Sequence, residues 1–120
     1  MKYCWTTLTV NNMRKSLDFY NGVIGLPITR RIKAGPETEI CFLGEGDTQI
    51  ELISDLELRP ECTNEGISMG FVVDSTESMI EQLKRKGVEV HSGPFQPNPG
   101  IRFFYVKDPD GYKIQFVENL

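Results

Sequence analysis

The sequence is poor in the residues on which most metal-dependent and nucleophilic enzymes rely. It has one histidine, His91, and three cysteines, Cys4, Cys41 and Cys62, with no Cys-x-x-Cys spacing. Scattered thiols in odd number exclude a disulfide framework or a zinc knuckle, and a reducing cytoplasm is the expected setting. Basic residues are also short: 13 Lys and Arg against 17 Asp and Glu leave a net charge of -4. Phosphate backbones are held by basic faces, so no nucleic-acid partner is expected. The one basic run, Lys84-Arg85-Lys86, falls in the last turn of a predicted helix and complements its negative end. No apolar stretch approaches the roughly 18 residues of a membrane span. Residues Met1 to Thr7 lack the apolar core of a secretory signal, so no membrane partner is expected either.

What is present is a globular composition, with 39% hydrophobic and 25% charged residues in 120. That is enough for a single domain with its own core. Its organisation shows as a repeat. Tyr3 to Val10 is aromatic and β-branched and predicts a strand. Asn11 or Asn12 can cap the next helix, whose stripe is Met13, Leu17, Tyr20 and Ile24. Gly25 suits a left-handed C-terminal cap, and Pro27 stops continuation. Strands are then predicted at about 26–33, 38–44 and 48–54. After a polar connector the order recurs: a strand from Ile67 to Val73, then a helix capped by Asp74 with Glu77 completing a capping box. Met79, Ile80 and Leu83 line that helix, Gly87 ends it, and strands follow at about 88–91, 101–107 and 112–118. Gly93 to Gly100 is predicted to be a loop, either a hinged gate or a rigid connection.

The halves superimpose by number: Val10 on Val73, Gly25 on Gly87, and Ile50-Glu51-Leu52 on Ile114-Gln115-Phe116, with shifts of 63, 62 and 64. A near-constant shift through strand, cap and final strand marks a duplication. The expectation is an α+β domain of two tandem β-α-β-β-β modules, 1–54 and 66–120, joined by a linker at 55–65. Their curved mixed sheets would form a half-barrel around a small-molecule cleft. Alternation along the strands sends Leu8, Val10, Ile50 and Leu52 toward the helix, with Phe71, Val73, Ile114 and Phe116 as counterparts. Trp5, Thr7 and Glu51, with Ser68, Gly70 and Gln115, are left for the concave side. A pseudo-twofold relation would bring Trp5, Glu51, Ser68 and Gln115 together. Ile101-Arg102-Phe103-Phe104-Tyr105 has aromatics on both faces, so periodicity leaves open which of them line the cleft.

Ser16-Leu17-Asp18-Phe19-Tyr20, Gly25-Leu26, Gln49-Ile50-Glu51-Leu52 and Asp108-Pro109-Asp110-Gly111-Tyr112-Lys113-Ile114 together resemble the glyoxalase / bleomycin-resistance / extradiol-dioxygenase superfamily, the vicinal oxygen chelate proteins. The resemblance implies paired modules, a U-shaped cleft and a homodimer. It also implies that metal-dependent members place His or Glu ligands at positions corresponding to Trp5, Glu51, Ser68 and Gln115. Here only Glu51 is such a ligand: an indole N–H has no lone pair to give, and neutral oxygens bind transition metals weakly. His91 is expected at the surface. The expectation is therefore a protein with no metal and no cofactor that sequesters a planar or cationic compound. Trp5, Phe103 and Tyr105 would stack on the ligand, and Thr7, Glu51, Ser68 and Gln115 would make polar contacts. The alternative is a lyase, isomerase or dioxygenase-type enzyme with Glu51 as general base or as part of a degenerate metal site. Arg30 and Arg102 are then the candidate electrophiles, whereas Cys41, with no histidine to activate it, is expected to be a buried structural thiol. A third reading is a non-catalytic module binding a protein through its sheet face.

Overall fold

The computed structural model describes residues 1–57 and 66–120. Cys62 and most of the 55–65 connector lie outside the described residues. The chain divides into two compact units, Met1–Glu61 and Cys62–Leu120. The first contains β1 (Trp5–Thr9), α1 (Met13–Leu17) running into a π-helical segment (Asp18–Val23), β2 (Ile28–Lys33), β3 (Thr38–Leu43) and β4 (Gln49–Asp55). The second contains β5 (Ser68–Val72), α2 (Thr76–Arg85), β6 (Ser92–Asn98), β7 (Ile101–Lys107) and β8 (Lys113–Asn119). The fold is α+β, with the β-α-β-β-β order given twice.

Each unit builds a four-stranded mixed sheet, in the orders β1-β4-β3-β2 and β5-β8-β7-β6. The first and last strands of each unit pair in parallel, and the other pairs are antiparallel. The duplication extends to single bonds. The Val10 N–H donates to the Ile53 carbonyl at 2.9 Å, and the Val73 N–H donates to the Val117 carbonyl at 2.8 Å. Gly25 and Gly87 both adopt the left-handed conformation that closes a helix, with φ of +89° and +78°.

One face of each sheet is covered by its helix. Leu8, Ile50, Leu52, Cys41 and Leu43 are buried in the first unit, and Leu83, Phe104, Val106, Ile114 and Phe116 in the second. The first helix departs from its predicted course after Leu17. A regular α-helix would carry Phe19 away from the Met13–Leu17–Tyr20 stripe. The wider turn, marked by the Ile24 N–H donating to the Phe19 carbonyl at 3.0 Å, buries Phe19 and Tyr20 together.

Two local expectations are corrected. Helix α2 is capped by Ser75, whose hydroxyl accepts the Ser78 N–H at 3.2 Å, and not by Asp74. A second acceptor comes from the far end of the unit: Glu118 Oε1 takes the Thr76 N–H at 2.6 Å and the Thr76 hydroxyl at 3.0 Å. The second correction concerns 88–100. Residues 88–91 form no strand, and the presumed loop is the edge strand β6, paired with β7 through Ser92, Phe95 and Asn98. Pro94 and Pro97 are tolerated because an edge strand can leave N–H positions unused. Gly93 is required there. With φ at +92°, a Cβ would come within 3.0 Å of the Phe95 ring and 3.2 Å of the Phe103 carbonyl.

Two predictions follow from this packing. Phe116→Ala, which empties a fully buried site between Phe71 and Phe104, should cost about 3–5 kcal/mol in urea unfolding. The bonds from Thr76, backbone N–H first and hydroxyl second, hold the Glu118 carboxyl below the ordinary glutamate range. A depressed folded-state value stabilises above the unfolded value and is lost as pH falls through the folded one. Thermal midpoints of Glu118→Gln should therefore lie below wild type at pH 7, and the gap should shrink under acidification below about pH 4.

Candidate functional site

In both units the sheet face turned away from the helix carries the candidate residues. In the first unit the parallel register sets Trp5 beside Gln49 and Thr7 beside Glu51. The antiparallel register sets Phe42 on the other side of Glu51 and Arg30 beyond Phe42. The Thr7 hydroxyl donates to Glu51 Oε1 at 2.5 Å, so one carboxylate oxygen is already engaged. Trp5 meets the Phe42 ring edge-on at 5.3 Å, and the Arg30 guanidinium lies 5.7 Å above that ring. Gln49 is tied down, donating to the Gly44 carbonyl at 2.9 Å and to the Thr29 hydroxyl at 3.1 Å. The structure thus brings Trp5, Thr7 and Glu51 onto one face, with Glu51 half-buried and Trp5 45% exposed.

In the second unit Ser68 stands beside Lys113, and Gly70 beside Gln115. Tyr105 flanks Gln115 from β7. The Gln115 amide donates to the Tyr105 hydroxyl at 3.3 Å, and the Lys113 ammonium lies 4.5 Å from the Tyr105 ring centre. Phe103 meets Tyr105 edge-on at 5.8 Å, and Phe95 continues the row at 5.6 Å from Phe103. This decides which aromatics of β7 share the Gln115 face. Phe103 and Tyr105 do, while Phe104 is buried on the helix side.

Sequence reasoning passed over Phe42, Arg30 as a ring partner, Phe95 and Lys113. The first three depend on strand pairings that only the register supplies. Lys113 was within reach, because it lies two residues before Gln115 on the same strand, and period two puts it on the same face.

The donor chemistry does not fit a resident metal. Of the four positions that the superfamily resemblance marks for ligands, Glu51 offers a carboxylate, one of whose oxygens accepts from Thr7. Trp5 has no lone pair to give, and Ser68 and Gln115 offer neutral oxygens. Among the described residues no group of three or more His, Cys, Asp or Glu side chains is placed to hold a cation. His91 is exposed, at the approach to β6. Arg102 is engaged by Gln96 at 2.9 and 3.2 Å. Cys41 is fully buried, and that burial, the largest influence on it, pushes its thiol up and keeps it protonated.

A profile of the Glyoxalase/Bleomycin resistance protein/Dioxygenase superfamily matches residues 2–116. The chain belongs to this superfamily. The lactoylglutathione lyase of Neisseria meningitidis is 36% identical to it over 128 aligned residues, covering 99% of this chain and 91% of that protein. Among solved structures, the trypanothione-dependent glyoxalase I of Leishmania major superimposes with a TM-score of 0.82 at 19% identity, covering 98% of this chain and 86% of that one. An antibiotic binding protein from a Streptomyces species gives 0.78 at 20% identity, covering 100% and 97%. At these identities the superpositions speak for the glyoxalase-like fold alone.

Thiol labelling checks the reading of Cys41. In a Cys62→Ser background, native protein at pH 8 should titrate one thiol with a chromogenic disulfide, the exposed Cys4. The second should appear only in denaturant. Prompt labelling of Cys41 in the folded protein would contradict its burial.

Proposed function

We propose that this superfamily member binds and sequesters a small planar or cationic molecule without a metal ion. The observation that carries the proposal is the donor set: tryptophan, serine and glutamine stand at three of the four ligand positions. In place of a metal, the helix-free faces offer ring surfaces from Trp5, Phe103 and Tyr105, with Thr7, Glu51, Ser68 and Gln115 as polar contacts. Glu51 supplies the charge for a cationic group, oriented by the Thr7 hydroxyl. A homodimer in a reducing cytoplasm is the proposed working form. Its support is the resemblance to superfamily members, together with free Cys4 and Cys41.

A second reading, a lactoylglutathione lyase-type enzyme, is favoured by one observation, the 36% identity to the Neisseria protein across nearly the whole chain. It asks more of this site. A lyase acting through Glu51 alone as base would need another group to stabilise the negative charge that develops on the substrate.

Two measurements separate the readings. Titration with a panel of planar cations should change the emission of Trp5, the single tryptophan, to saturation. Glu51→Gln should then weaken binding about tenfold or more, as expected for a lost charge-assisted contact. No saturable change across the panel defeats the binding proposal. Elemental analysis of protein purified without chelators should find no stoichiometric metal. One equivalent that disappears in Glu51→Gln, accompanied by lactoylglutathione-forming activity, would install the lyase reading instead.

A further inference from the structure

The second unit's helix-free face has a charge character at odds with the chain as a whole. The chain is acidic, at -4. By strand register this face carries Lys113 from β8 and Lys107 from β7, while β5 contributes Ser68, Gly70 and Val72. The paired positions of β5, β6, β7 and β8 on this side include no Asp or Glu. Glu118, the one acid within these strands, sits at a helix-side position and is committed to Thr76. Lys113 is half-buried, and among the described residues no carboxylate lies within ion-pair distance of it. Its ammonium rests instead on the Tyr105 ring, 4.5 Å from the centre. A ring face neutralises a cation only weakly, so an ammonium held there keeps most of its attraction for an anion.

The neighbouring groups add direction. Gln115 donates to the Tyr105 oxygen, which leaves the Tyr105 hydroxyl proton to be given to another acceptor. One donor, the Lys113 ammonium, thus lies over the Tyr105 ring and a second, the phenol, is at that ring's edge, while the Ser68 hydroxyl stands across from Lys113 in the register. Phe103 and Phe95 extend the aromatic row away from these donors. A cationic ligand would have to displace Lys113 to stack on Tyr105. A flat ligand ending in an oxyanion can leave Lys113 in place, accept from it and lay its ring along Phe103 and Phe95 instead.

We infer that this face recognises a planar aromatic carboxylate, its oxyanion accepting from Lys113 and Tyr105 and its ring lying along Phe103 and Phe95. The inference rests on the proposed small-molecule function and narrows the ligand on the second unit.

The test compares three probes of one shape on the purified full chain by isothermal titration calorimetry: 1-naphthoate, neutral 1-naphthamide and 1-naphthylmethylammonium. Naphthoate should bind about tenfold more tightly than naphthamide, the increment of a charge-assisted hydrogen bond. Lys113→Met, which keeps the aliphatic stem, should abolish that preference and leave naphthamide within about twofold of wild type. Tyr105→Phe should weaken naphthoate several-fold while sparing the amide. The wild-type comparison needs no variant, and thermal midpoints near wild type establish that the variants fold. Equal binding of naphthoate and naphthamide to wild type overturns the inference, as does a preference that survives Lys113→Met. If naphthylmethylammonium binds best and ignores Lys113, the anion assignment falls while the small-molecule function stands. If none of the three binds saturably and the planar-cation panel also leaves Trp5 silent, both fall.

Discussion

Parallel pairing between the first and last strands of each unit is the constraint from which the other features descend. It sets Thr7 beside Glu51 and Gly70 beside Gln115, at the same point of the two repeats. Because side chains alternate strictly along a strand, a slip of one residue would send Glu51 into the layer occupied by Ile50 and Leu52. The helices enforce the register from one side: they bury Leu8 and Leu52 in one unit and Ile114 and Phe116 in the other. A polar or charged residue on the opposite face is thus placed by hydrophobic burial that it takes no part in.

Much of this was legible in the sequence because it followed from period and repetition. Element order, the glycines closing both helices, and the division of Ile50, Glu51 and Leu52 between two faces all came from spacing. The failures have physical causes. Proline and glycine density in 93–100 signals a loop, yet an edge strand can accept prolines wherever its N–H groups need no partner. Asp74-x-x-Glu77 satisfies a capping pattern, but the side chain at the helix start belongs to Ser75, one residue later. The turn that buries Phe19 with Tyr20 is invisible to a 3.6-residue period. For the candidate site, Trp5, Thr7, Glu51 and the Gln115 group could be assigned to faces by alternation. Phe42 and Phe95 could not, because which strand lies next to which is a tertiary fact.

The superfamily fold is therefore present with tryptophan, serine and glutamine at three of the four positions that the resemblance marks for ligands. Trp5, Ser68 and Gln115 take no part in the buried helix-side layers that hold the sheets. The two units have diverged there in different directions. The first pairs an acid with an indole and a guanidinium-capped phenyl ring, and the second pairs a lysine with a phenol. The duplication survives in the backbone, while the chemistry of the two faces no longer matches.

The clamp of Glu118 on Thr76 spans 42 residues of sequence, and this has a consequence for biosynthesis. During synthesis the amino end of α2 is made 42 residues before its acceptor from β8. Until translation reaches Glu118, that first turn has only the Ser75 side chain to cap it. The second repeat thus closes only once its final strand has been made, whereas the bonds described within the first repeat reach no further than Glu57 and can close while synthesis continues.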